Sequence, residues 1–279
     1  IVDTSKVTLG EGDVLRPLSL TQAIRAHQVT KLIHMAANAN LTLGAMRDPY
    51  GAIELNIMGT ANVLEAARGH GIAKVVVASS SVLVHHVEGG DGTHDVTHEE
   101  GLPRPISIYS TCKQAVENIG LNYCRYHGVD FGAMRYGAVC GPWNGEGGGG
   151  PSKTFLGIVL DALHGREAVI PSAAIEWVYS KDAASGTVAV LDAKLERSRI
   201  FNLTMGTLTT AQDLVAAVKA AVPGARTRIE TPPPGPAMKN MDRPADIGLA
   251  KRVLGWAPAY QVREAVADMV HWARANVLK

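Results

Sequence analysis

Apolar and polar positions along the first half of the chain follow the strand period and the helix period in turn. Residues 31–36 (KLIHMA) and the valine-rich 74–79 (KVVVAS) are short apolar runs that read as buried strands. Residues 130–136 read as a third strand, residues 7–14 as a short strand entering a loop, and Ile1-Val2-Asp3 as the tail of another. Between them, residues 18–28, 48–68 and 108–126 carry the helical period. Asp48 followed by Pro49 marks a helix start, because the carboxylate caps first-turn amides and proline has a φ already suited to a helix. Gly69 and Gly71 close that helix. This alternation predicts an α/β fold with a doubly wound parallel sheet and helices on both faces.

The second half differs. Residues 145–151 (GEGGGGP) form a glycine-rich loop, either a linker or a lid over a pocket. Helices follow near 154–164, 182–191, 210–221 and 262–273, with short strands near 168–170 and 200–203. Residues 232–236 (PPPGP) read as a turn or spacer. The expected division is a first domain over 1–150 that also receives parts of 176–205, and a small C-terminal α/β lobe, mainly 151–279, that binds substrate.

Composition narrows the function. The 279 residues carry 27 Lys and Arg against 26 Asp and Glu, so neither a nucleic-acid surface nor a polybasic membrane patch is expected. No apolar run is long enough to span a bilayer, and no signal peptide is expected at the start. Cys112, Cys124 and Cys140 are odd in number and lack metal-ligand spacing, which fits free thiols in a reducing cytoplasm. The 10 histidines form no His-x-x-x-His or Glu-x-x-His cluster, so no metal is expected.

The candidate chemistry lies in Tyr109 and Lys113, which share a helix face one turn apart. An ammonium beside a phenol favours the phenolate, so the Tyr109 pKa is expected to fall from about 10 towards the working range. A tyrosine tuned in this way takes a proton from a substrate hydroxyl or returns one. Ser81, beyond the apolar run 74–79, can hold the same oxygen. The spacing alone is equally that of ordinary helix-surface neighbours.

The order of the motifs resembles the extended short-chain dehydrogenase/reductases, the NAD-dependent epimerase/dehydratase family, over nearly the whole chain. Gly12-Asp13-Val14 resembles the family's adenine loop, and His34-Met35-Ala36-Ala37 its strand-end motif. Asn56, Gly59-Thr60 and the run 62–66 (NVLEA) resemble the helix whose Asn organises the active site. Residues 77–81 (VASSS) resemble the strand that delivers the catalytic Ser, with Ser81 at that position. Arg135-Tyr136, Cys140-Gly141-Pro142, Trp177-Val178-Tyr179 with Asp182, and Leu254-Gly255-Trp256 with Pro258 resemble the remaining landmarks.

The resemblance implies a Rossmann-like fold with NAD across the carboxyl ends of the strands. Its contacts would come from Asp3, Asp13, Val14, Met35, Ala36, Ala37, Asn56, Ser79, Tyr109, Lys113 and Tyr136. Asp3, on the adenine ribose, would favour NAD over NADP. Tyr109 would be the acid/base, Lys113 would hold the nicotinamide ribose, and Ser81 would bind the reacting oxygen. Helices 48–68 and 108–126 would form the four-helix interface of a homodimer.

Two departures from the family pattern matter. The Gly-x-x-Gly-x-x-Gly turn that seats a pyrophosphate on a helix N-terminus is not in this sequence; the resemblance implies a preceding unit of about thirty residues, without which NAD binding and folding are expected to be poor. The substrate pocket also differs. Ala138 stands where sugar-nucleotide members carry an Asn, and His85-His86 replaces Tyr-Gly. Arg243 stands near the family's nucleotide-binding Arg but is equally placed for an ion pair with Asp246.

Substrate contacts are accordingly expected from Ser81, His85, Ala138 and Arg243. His85 is read either as a pocket group or as a loop residue facing solvent, and His86 as solvent-facing. Three functions follow from these features. The first is an epimerase or dehydratase on a sugar or sugar nucleotide. The second is a net dehydrogenase or reductase of a smaller polyol, sugar acid or other hydroxyl/carbonyl compound. The third is a non-catalytic dinucleotide-binding regulator.

Overall fold

The computed structural model describes residues 4–37, 45–85, 97–101, 103–143, 149–196, 199–231 and 243–277. Asp3, His86, residues 144–148 and the proline-rich turn lie outside them. The strands in chain order are β1 (Lys31–His34), β2 (Lys74–Ser80), β3 (Phe131–Tyr136), β4 (Ala138–Cys140), β5 (Ala168–Pro171), β6 (Trp177–Tyr179), β7 (Ile200–Leu203) and β8 (Thr227–Glu230). The helices are α1 (Pro17–His27), α2 (Pro49–Ile53), α3 (Gly59–His70), α4 (Val82–His85), α5 (Ile108–His127), α6 (Gly150–Leu163), α7 (Ser180–Asp192), α8 (Ala211–Ala221) and α9 (Val262–Asn276). A π-helical turn, Glu54–Met58, joins α2 to α3, and a second, Ala250–Leu254, precedes α9.

Four parallel strands form the main sheet in the order β1-β2-β3-β7. The inner strands β2 and β3 are covered on both faces, which is why their sequences are nearly continuous apolar runs. Val63, Leu64, Val116 and Phe131 pack on one face; Met134, Val190, Leu203 and Trp256 pack on the other. A further core around Phe155, Trp177, Tyr179 and Met269 fills the C-terminal half, beside the parallel pairs β4-β6 and β5-β8.

Local signals set the helix ends. Asp48 Oδ1 accepts from Gly51 N at 2.9 Å, as its position before Pro49 predicts. Ser107 and Ser110 form a capping box at the start of α5, and Gly128, at φ +70°, closes it. At Gly120, a Cβ would lie 2.1 Å from the Phe131 ring, so α5 crosses β3 closely enough to need glycine there.

Two strand expectations are corrected. Residues 7–14 form no strand; they lie largely exposed, with Gly10 and Gly12 interrupting them and no described strand beside them to supply a ladder. The run from Lys31 is an edge strand rather than a buried one, because β1 pairs only with β2 among the described residues. The short strands β4, β6 and β8 are set by their partners rather than by local pattern.

Candidate active site

The carboxyl end of β2 and the first two turns of α5 meet over the middle of the sheet. Tyr109 and Lys113 are both buried, on the helix face that the i,i+4 spacing predicts. The Lys113 ammonium lies 5.6 Å from the Tyr109 ring centroid and donates to Ala78 O at 2.7 Å, on β2. Ser80 stands beside the Tyr109 phenol, where its hydroxyl lowers the phenol's pKa. Ser81 follows as a buried residue whose N–H donates to Tyr136 O at 2.8 Å, and whose carbonyl accepts from Val84 N and His85 N at 2.8 and 3.2 Å. The structure therefore places Tyr109 and Lys113 at the end of β2 that Ser81 follows, and adds Ser80, the middle of three consecutive serines.

The electrostatics differ from the expectation. Burial pushes the Tyr109 phenol up to about 12, against a smaller lowering by the Ser80 hydroxyl. Burial also brings the Lys113 ammonium down to about 8, against the opposing pull of Cys112 and Glu117. Desolvation sets both shifts, since both charged forms have lost water and the ammonium is bonded to a backbone carbonyl.

Behind the pair, the π turn places Asn56 in the interior. Asn56 Nδ2 donates to Ala52 O at 2.8 Å, and its Oδ1 has no hydrogen-bond partner among the described residues. Thr60 Oγ1 donates to Asn56 O at 2.6 Å and in turn pairs with His34 Nε2 at 3.1 Å. Burial, helped by the Lys113 charge, lowers the His34 pKa to about 4, so its imidazole is neutral at pH 7.

The remaining expected cofactor contacts divide. Val14 lies against α3, with its carbonyl accepting from Asn62 Nδ2 at 2.9 Å, and Asp13 Oδ1 accepts from Leu15 N at 2.9 Å within that loop. Met35, Ala36 and Ala37 follow the end of β1 and are exposed or half-buried. The side chains of Ser79 and Tyr136 are committed elsewhere. Ser79 Oγ donates to Glu117 Oε1 at 2.6 Å, and Tyr136 pairs with Thr187 on α7. Both turn into the sheet–helix interior because each strand alternates its faces.

On the substrate side, His85 is buried, so the solvent-facing reading does not hold. Its Nε2 lies 2.8 Å from Glu176 Oε2. Ala138 sits on β4 and donates its N–H to Glu176 O at 2.8 Å. Arg243 is exposed, and Asp246 pairs instead with His98, at 3.1 Å. Sequence reasoning missed Glu117, Arg135 and Glu176. Glu117 was legible, one turn beyond Lys113 on the same face; Glu176 was not, since only the fold brings it to His85.

The model of the NAD-dependent epimerase/dehydratase family matches residues 2–204. The chain belongs to that family. A relative from Arabidopsis thaliana, UDP-glucuronate 4-epimerase 4, is 25% identical over 295 residues, covering 98% of this chain and 64% of the relative. The chain thus spans just under two thirds of that protein. UDP-glucuronate 4-epimerase from Thermodesulfobacterium geofontis is also 25% identical, covering 95% of this chain and 79% of the relative.

Among solved structures, the UDP-glucose 4-epimerase of Thermus thermophilus in complex with NAD superposes with a TM-score of 0.78 at 26% identity, over 95% of this chain and 84% of that one. A partial consensus L-threonine 3-dehydrogenase gives the same TM-score at 25% identity, over 94% and 86%. These matches agree with the α/β Rossmann-like fold expected from the sequence. No helix among the described residues is long and apolar enough to cross a membrane.

Proposed function

We propose that this chain carries the active site of an NAD-dependent sugar-nucleotide epimerase, acting at a hydroxyl-bearing carbon. The observation that carries the reading is the buried Tyr109–Lys113 pair at the end of β2, with Ser80 and Ser81 beside it. The relatives named as UDP-sugar epimerases support the substrate class.

The residues fit the nicotinamide end of NAD. Among the described residues, Lys113 is a buried cation without a carboxylate of its own, since Glu117, one turn away, is held by Arg135. Asn56 offers an unpartnered buried oxygen beside the same helix. Lys113 and Tyr109 would hold the nicotinamide ribose, and Asp13, Val14, Met35, Ala36 and Ala37 would line the adenine end. Asp3 would bind the adenine ribose and favour NAD over NADP. Ser79 and Tyr136 would shape the site through their buried partners. When bound, NAD supplies the hydride acceptor and donor.

Tyr109 takes the proton from the substrate hydroxyl as the carbon is oxidised and returns it when the opposite face of that carbon is reduced. A phenol pushed up to about 12 holds its own proton in the resting chain, so that proton must first pass to solvent, and only the phenolate then accepts one from the substrate hydroxyl. Ser81 holds the reacting oxygen, Ala138 and Arg243 would contact the substrate, and His85 stands behind the Ser81 turn; residues 151–279 mainly form the substrate lobe.

A second reading, net dehydrogenation of a small hydroxyl compound, is favoured by the L-threonine 3-dehydrogenase match and by Ala138 at a position where a sugar-nucleotide site needs a polar contact. Incubation with NAD and UDP-glucuronate or UDP-glucose separates the two. Epimer without accumulating NADH supports the first, and stoichiometric NADH from a small hydroxyl compound supports the second. In either case Tyr109→Phe should lower turnover by about 10²- to 10⁴-fold, and unchanged turnover would remove Tyr109 from the mechanism.

A homodimer through α2, α3 and α5 belongs to the same reading. It is supported by the exposed Tyr50, Ile53 and Ile108 on those helices and Met58 on the π turn that joins α2 to α3. A monomeric elution volume at micromolar concentration would count against it. Free Cys112, Cys124 and Cys140 support a reducing, cytoplasmic setting.

A further inference from the structure

Directly after Ser81, the one-turn helix α4 ends at His85, and the carbonyl that closes this turn is that of Ser81 itself. His85 Nε2 meets Glu176 Oε2 at 2.8 Å, with side chains only 8% and 1% exposed. The other carboxylate oxygen of Glu176 accepts from Thr204 Oγ1 at 2.8 Å and from Ala245 N at 2.9 Å. Its backbone carbonyl accepts from Ala138 N at 2.8 Å. Glu176 thus ties the Ser81 turn to the exit of β7 and to the segment leading into the second π turn through its carboxylate, and to β4 through its carbonyl. A carboxylate so deeply buried is tolerated only while its acceptor positions are filled, so these segments hold one another in register.

We propose that His85 and Glu176 are positioning residues, a buried pair that fixes the Ser81 turn against the substrate lobe so that the contribution of Ser81 to turnover depends on it. This rests on the reading of Ser81 as the hydroxyl that holds the reacting oxygen. The pair would also explain why His85, which the sequence could place equally in the pocket or in solvent, is buried directly after the Ser81 turn.

The test is a double-mutant cycle on the full chain with NAD and UDP-glucuronate. His85→Phe keeps ring volume and removes the bond; it should lower kcat by about 10- to 100-fold, the cost of a displaced catalytic group, while the NAD dissociation constant stays within about twofold. His85→Gln, which still offers a donor to Glu176, should restore most of the loss. In the Ser81→Ala background His85→Phe should cost little more, because the group it positions is gone. Losses that multiply, or a His85→Phe enzyme that turns over like wild type, would overturn the proposal.

If wild type turns over none of the UDP-sugars, the functional reading fails and the pair is judged separately by hydrogen exchange. Exchange at the Val84 and His85 amides at least about tenfold faster in Glu176→Gln supports the tie. Unchanged exchange overturns it, and the same measurement decides the matter if His85→Phe does not fold.

Discussion

One helix, α5, carries two buried polar clusters a single turn apart, and they are built on opposite principles. At Glu117 every charge is matched. Arg135 Nε and Nη2 donate to the two carboxylate oxygens, both at 2.8 Å, and Ser79 adds a third bond at 2.6 Å. At Lys113 and Tyr109 the charge is left unmatched. The ammonium is brought down to about 8 and the phenol pushed up to about 12, both chiefly by burial, and the cation rests on a backbone carbonyl. The first arrangement holds helix to sheet. The second stores an unfavourable desolvation that a bound ligand can relieve, which is what a site for chemistry requires and a structural site avoids.

The contrast can be broken most severely at Glu117. Glu117→Ala strands the Arg135 guanidinium in the interior and should cost about 3–5 kcal/mol of stability, read from denaturant unfolding; a loss below about 1 kcal/mol would mean the pair is no tie. Lys113→Met should do the reverse, removing about 10²- to 10³-fold of turnover with stability at pH 7 held or raised. Its folded pKa lies below its ordinary value, so the unfolded chain binds the proton more readily and stability rises with pH from about 8 towards 10.5. That rise should vanish in Lys113→Met. A marked loss of stability in this variant would show that the ammonium holds the fold as Glu117 does.

His34 extends the comparison to acid. Its pKa falls from 6.5 to about 4, so the unfolded chain takes up the proton first, and stability is present in full above pH 6.5 and is lost as pH falls towards 4. His34→Gln should flatten the stability profile across that window by roughly 3 kcal/mol, leaving the profile above pH 7 unchanged. A window that survives the substitution would assign it to other groups. The smallest effect is expected where α5 crosses β3. Gly120→Ala gains helix propensity but drives a methyl into Phe131, for a net loss of roughly 1–2 kcal/mol in thermal unfolding, and a stabilised variant would show that the crossing has room.

Much of this was legible along the chain. Asp48-Pro49, the β-branched run from Lys74 and the Tyr109–Lys113 spacing each act within a few residues, and each reappears where local chemistry placed it. The errors share one cause. Residues 7–14 looked like a strand, and the run from Lys31 like a buried one, because strand propensity describes a fit to neighbours that the local sequence does not contain. The downward shift expected for Tyr109 failed because proximity in sequence says nothing of how completely water is excluded.

What the sequence by itself determined is most of the elements, their order and the face of α5 that carries Tyr109 and Lys113, because these follow from periods of two and 3.6 residues. What only the tertiary structure decided is which of those charges would find a partner. Glu117 met Arg135 across the sheet and His85 met Glu176 from a segment distant in the chain. Lys113 met a backbone carbonyl. Burial and long-range pairing belong to the folded surface as a whole, and no window of residues contains them.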